Sequence, residues 1–169
     1  MDKSVFMNIP LLVVLILVQV LVCNNIMLFN VAMAFVFIYV IIRLPMDMNT
    51  GKLLTWAFIG GLIVDMFADT QGVNSLASTL LAMIKRNILY AYVPKDDRTK
   101  DISPSLSTLG FAVYGKYLFS MSLIYCVFVF SIEYFNFAEI KEIVIMSAAS
   151  SLLTFMILLG VDSLASSKK

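Results

Sequence analysis

Apolar residues run along this chain in long blocks divided by short polar breaks. Residues 5–22 form the first block, interrupted only by Asn8, Pro10 and Gln19, and it stops at Cys23-Asn24-Asn25. Residues 26–42 form the second, which ends at Arg43 and is followed by Pro45, a residue that opposes further helix. Further blocks cover residues 53–67, 73–90, 117–135 and 140–159. A helix needs about 20 apolar residues to cross a hydrocarbon core of roughly 30 Å. The pattern therefore predicts an all-α, polytopic membrane bundle of six transmembrane helices. The third block makes only about 23 Å of helix at 1.5 Å per residue. The fourth meets Lys85-Arg86 early, so its end requires long basic side chains to snorkel toward the interface. A re-entrant pair is the rival reading of these two blocks.

Six spans use about 120 residues of the 169, which leaves only tails and loops, so residues 1–169 read as a single integral membrane domain. An apolar share of 61%, a charged share of 14% and a mean hydropathy of +0.95 agree with that reading. The first block lacks a strongly basic flank and a small-residue cleavage site, which favours a retained span over a signal peptide.

Charge then orients the bundle. Lys3, Arg43, Lys52, Lys85, Arg86, Lys95, Arg98, Lys100, Lys116, Lys168 and Lys169 share one side if both termini are cytoplasmic, against Lys141 alone on the other. Basic residues are retained on the cytoplasmic side, so both termini are expected there. Asp65, Asp69, Glu133, Glu139 and Glu142 make the outer half acidic, while Tyr90, Tyr92, Tyr114 and Tyr117 are expected in the inner headgroup layer. Residues 94–116 form the one sizeable loop, read as cytoplasmic with an interfacial helix that starts at Ser103-Pro104. A docking surface for a cytoplasmic partner is the alternative there.

Chemistry is thinly represented. With no histidine, Ser-His hydrolysis, His-ligated metals and histidine proton relays are all excluded. Cys23 and Cys126 show no metal-binding spacing. The net charge of +1 argues against nucleic acid as a partner. Asp65 and Asp69 stand four apart on one helical face, a spacing compatible with Mg²⁺, yet neither further acidic ligands nor diphosphate-binding bases accompany them. No enzyme, metal or cofactor is expected. A carboxylate inside a span costs a few kcal/mol, and the turn at Asp69-Thr70-Gln71-Gly72 brings the next helix start beside Asp65. The reading is a hairpin fastener, in which Asp65, Asp69 or Thr70 caps the fourth span; contact with another protein is the alternative. Ser75, Ser78 and Ala82 recur at helical spacing on span four, and Ser147 and Ser151 on span six. Small faces let helices approach closely, so these stripes are candidates for internal packing or for a partner helix, one facing inward and one outward.

The segment FIGGLIVDMFADTQGVNSLASTLLAMIKRNILYAYVPKDD, with Gly61, Asp65, Gly72, Leu76 and Ala77 in place, resembles the MreD family of bacterial rod shape-determining membrane proteins. KRNILYAYVPKDD and SPSLSTLGF are similar to the form found in Bacteroidota, with Asn74 where that subgroup is expected to have histidine. The resemblance is densest over residues 58–135. It implies a non-catalytic scaffold of the cell-wall elongation complex in the bacterial cytoplasmic (inner) membrane. It further implies association with a single-span MreC-like protein, coupling to MreB filaments, and links to a RodA-like polymerase and its class B transpeptidase. Proteins of this family are similar in fold to the S-components of energy-coupling-factor vitamin transporters, which supply the alternative function. Against it, the loops at residues 23–25, 68–72 and 136–139 are too short to form much of a lid over a ligand.

Overall fold

The computed structural model describes residues 13–23, 32–93, 103–134 and 140–166, all helices and connecting segments. Helix α1 covers residues 13–23 and widens into a π-helix over Gln19–Cys23. It is followed by α2 (Ile38–Arg43), α3 (Thr50–Ala68), α4 (Val73–Tyr92), α5 (Leu106–Glu133) and α6 (Ile140–Ser166). Consecutive long helices pack side by side, α3 on α4, α4 on α5 and α5 on α6, while α2 lies against α3, α4 and α5.

Among the described residues, three helices are long and apolar enough to cross a membrane: α3, α5 and α6 over Ile140–Ser163. Six were expected. Of the second block's described residues, 32–37 are not helical and Ile38–Arg43 forms α2. The non-helical backbone gives way to a turn at Val36 and Phe37, whose carbonyls accept from the Tyr39 and Val40 N–H groups and lead the chain into α2. The expected turn at residues 24–25, loop residues 94–102, and residues 136–139 lie outside the described residues.

Other boundaries move for local reasons. Helix α3 begins three residues before the apolar block because the Asn49 side chain accepts from the Gly51 N–H at 2.9 Å, an N-cap the hydropathy pattern passes over. Helix α5 starts at Leu106 rather than beside Pro104, since Ser105 is the N-cap and exchanges bonds with Thr108 in a capping box. Gly110 (φ 73°, ψ 160°) then breaks the helical path, so residues 106–109 form a separate first turn. The expected interfacial lead-in is thus a single turn.

The core runs the length of the bundle. Phe35 and Phe37 meet the Tyr125 ring edge-on, with centroids 5.1 and 5.7 Å away. The outer faces carry Ile59, Leu62, Met66, Val144, Leu152 and Met156, all exposed as lipid-facing side chains are.

Candidate functional site

Two buried carboxylates organise the described polar contacts, one at each end of the bundle. At the end where α3 turns into α4, Asp65 is 4% exposed. Its Oδ1 accepts from the Thr70 hydroxyl (2.6 Å), the Asn74 N–H (2.9 Å) and the Asn74 side-chain amide (3.0 Å). Its Oδ2 accepts from the Ser75 N–H at 2.8 Å. Two of these donors are N–H groups of the first turn of α4, which have no partner within their own helix. Charge-assisted bonds and the positive end of the helix dipole together hold the carboxylate there. The Asn74 side-chain oxygen Oδ1 in turn accepts from the Tyr125 hydroxyl at 2.7 Å, which carries the lock across to α5.

The turn itself is shaped to close this lock. Asp69 ends α3 in the left-handed region (φ 54°) and Gly72 opens α4 at φ 81°. Asp69 is exposed and turned out of the helix, so it does not share a face with Asp65, contrary to the expected pairing. Gly61 brings the two helices into backbone contact: a Cβ there would lie 2.5 Å from Ser75 Cα and 2.6 Å from the Asn74 carbonyl oxygen. Below it, the Ser78 hydroxyl donates to the Ala57 carbonyl at 2.7 Å.

At the opposite end, Asp162 on α6 is fully buried. Its Oδ1 accepts from the Tyr39 hydroxyl at 2.5 Å and lies 3.2 Å from Arg43, whose guanidinium also bonds the Tyr39 oxygen and sits over its ring. Its Oδ2 accepts from the Leu106 N–H, the start of α5, at 2.9 Å. One carboxylate therefore joins α2, α5 and α6. Nearby, Lys85 is fully buried and donates to the Leu44 carbonyl at the end of α2; it does not snorkel outward as expected. A cation at a helix C-terminus meets the negative end of its dipole. Arg86 bonds the Met48 carbonyl, in the turn that precedes α3. Tyr114 and Tyr117, expected in the headgroup layer, are fully buried in the core.

Between the two carboxylates lies the extended segment, and its backbone is satisfied by side chains. The N–H groups of Met33 and Phe35 donate to Ser150 (3.0 Å) and Thr154 (3.1 Å) on α6. On the other edge, the Gln19 amide donates to the Ala34 carbonyl (2.9 Å) and accepts from the Val36 N–H (2.7 Å). Non-helical backbone inside a membrane bundle needs its polar groups bonded, and these four contacts supply partners for the N–H groups of Met33, Phe35 and Val36 and the carbonyl of Ala34.

Both small-residue stripes lie inside the chain. Ser75, Ser78 and Ala82 are buried against α3, and Ser147 and Ser151 are buried as well, so neither stripe faces outward. Ser151 bonds its own helix at Ala148, while the Ser147 hydroxyl is buried with no partner among the described residues. Sequence reasoning located Asp65, Gly61 and Gly72 but missed Asp162, Tyr39, Gln19, Ser150 and Thr154. A signal existed for Asp162: helix α6 carries this acid just past the last apolar block, where a carboxylate drawn into a membrane bundle needs a partner, and Arg43 ends another block. Both carboxylates are engaged by several donors, an arrangement that fixes helices in place. Among the described residues, no group of three or more Cys, Asp or Glu side chains comes together to hold a metal ion. Comparisons of the chain with protein-family models, with curated proteins and with solved structures find no match.

Proposed function

We propose that this chain is a non-catalytic membrane scaffold of the cell-wall elongation machinery, an MreD-like adaptor. In this reading it holds a single-span MreC-like partner and links it to MreB filaments, a RodA-like polymerase and a class B transpeptidase. The observation that carries the reading is the convergence of Gly61, Asp65 and Gly72, positions of the resemblance, on one hairpin lock, which Asn74, where the resemblance expects histidine, also joins. Each has a job set by its chemistry: close approach at Gly61, acceptance of helix-start N–H groups at Asp65, positive φ at Gly72, and a bridge to α5 at Asn74. Arg43, Lys85 and Arg86 gather at the opposite end, which supports a cytoplasmic placement of that end in a bacterial inner membrane.

The test is depletion in a rod-shaped host, with affinity purification in mild detergent. Cells are expected to round or swell, and an MreC-like protein to co-purify. Normal shape on full depletion overturns the reading. The S-component alternative is favoured by one feature, the broken element at residues 32–37, because interrupted helices line substrate sites in many transporters. Loss of vitamin uptake with unchanged cell shape would select it.

A further inference from the structure

Lys85 and Arg86 are neighbours on α4, and neither meets a carboxylate: among the described residues the one ion pair joins Arg43 to Asp162. Lys85 is fully buried and directs its ammonium to the Leu44 carbonyl. Arg86 donates from Nη2 to the Met48 carbonyl and from Nη1 to the Thr50 hydroxyl at 3.4 Å. Its buried Nε–H has no partner among the described residues. A guanidinium carries more N–H donors than these two bonds use, so the chain leaves Arg86 only partly satisfied. The bond to Thr50, the exposed first residue of α3, also fixes the depth of Arg86. The 19 residues of α3 make about 28 Å of helix. That length matches the roughly 30 Å of a hydrocarbon core, so its Thr50 end stands at a headgroup layer. Deeper toward the bilayer centre, Met83 lies three positions before Arg86 on the same face of α4 and is 67% exposed.

We propose that the corner formed by Thr50 and Arg86 binds the phosphate of an anionic lipid, with an acyl chain lying along Met83. Two adjacent cations without a counter-ion create a demand for negative charge, and Lys85 adds to the field from inside the bundle without touching the ligand. Asp47 is exposed on the link between α2 and α3 and pairs with neither cation, so the corner keeps a net positive charge. Arginine suits phosphate oxygens because its planar N–H groups meet them in pairs. The bond between Arg86 and Thr50 is exposed, which leaves its outer side open to a headgroup. Thr50 accepts from Arg86 there and keeps its own hydroxyl hydrogen to donate to a phosphate oxygen. A free phosphate ion would make no use of Met83. The inference goes beyond the scaffold reading and does not depend on it.

The experiment titrates the full chain in mild detergent with phosphatidylglycerol and, separately, with phosphatidylcholine of the same acyl chains, counting bound lipids by native mass spectrometry. Phosphatidylglycerol should bind the tighter of the two. Arg86→Gln should weaken it about tenfold or more, because a charge and its hydrogen bonds are both lost. Lys52→Gln is the control. Lys52 is exposed on the same first turn of α3, two positions from Thr50 and so on another face. Its loss should cost no more than the roughly fivefold that one basic side chain near a membrane surface contributes. Thr50→Val should weaken binding about threefold. Equal losses in Arg86→Gln and Lys52→Gln would show diffuse attraction and overturn the site. Unchanged affinity in Thr50→Val also overturns it, and decides the matter alone if Arg86→Gln does not fold. Thermal protection by inorganic phosphate equal to that by phosphatidylglycerol would identify a free anion and overturn the lipid assignment. A protein that co-purifies with the parent and is lost from Arg86→Gln, with the bound lipid count unchanged, would likewise sink it.

Discussion

Replacing Asp65 tests the hairpin lock directly. Asp65→Leu keeps the bulk and removes all four acceptor contacts, leaving the N–H groups of Asn74 and Ser75 buried without partners. Each such orphan costs about 1–3 kcal/mol, so a loss of about 4 kcal/mol is expected. Asp65→Asn retains one oxygen for Thr70 and Asn74 but turns an NH₂ group toward the Ser75 N–H, which leaves one orphan and a loss of about 2 kcal/mol. For a chain of this length, 1 kcal/mol moves the midpoint by roughly 2–4 °C. The leucine variant should therefore melt roughly 8–16 °C lower, and the asparagine variant about half as far. Cys126 is fully buried and serves as a native reporter in a Cys23→Ser background, where a thiol-reactive dye gains fluorescence as the core opens. A leucine variant within 2 °C of the parent refutes the account of α4 capping, as does an asparagine variant that melts as low as the leucine one.

Four further outcomes follow from the contacts. Gly61→Ala should lower stability by about 1–3 kcal/mol, and adding Ser78→Ala should not restore it, because the obstructing atoms include the α4 backbone. Asp162→Leu should be more damaging than the double variant Arg43→Met/Asp162→Leu, by up to about 3 kcal/mol, since the single change strands a cation; Arg43, a quarter exposed, softens the difference. Thr154→Val removes the acceptor for the Phe35 N–H and should cost about 1–3 kcal/mol, whereas Ser151→Ala, which loses only a bond within its own helix, should cost under about 1 kcal/mol in the same melt. A cysteine placed at exposed Asp69 should react with an impermeant maleimide from outside the cell, and reaction only after permeabilisation would reverse the proposed orientation.

The α3–α4 hairpin was readable because its parts are close in sequence: a carboxylate four residues before a turn, a glycine after it, and small residues at helical spacing. Asp65 reaches its partners within ten positions. The extended segment was not readable, because an apolar run has the same hydropathy whether it is helical or extended. What decides its form is a set of side-chain partners, Ser150 and Thr154, that lie 117 and 119 positions away. Asp162 escaped for the same reason: Arg43 was legible as a topology marker, and its partner lies 119 positions away. Six spans are not confirmed: among the described residues α4 is absent from the helices apolar enough to cross, because it carries Lys85, Arg86 and several hydroxyl side chains, of which Lys85, Ser75 and Ser78 are buried against its neighbours.

The separation between residues 33–35 and their α6 acceptors also sets a timetable for biogenesis. At about 5–20 residues per second, the ribosome needs roughly 6–24 s to add the 119 positions that separate Phe35 from Thr154. Until then the N–H groups of Met33 and Phe35 lack their final partners, and a transient helix over the second apolar block is the cheapest way to bury them in lipid. The early chain is therefore expected to hold a provisional helix there, rewound once α6 arrives. Truncations that stop before Ser150 should insert yet leave this segment helical, so completion of the fold is a late event governed by the last span to leave the ribosome.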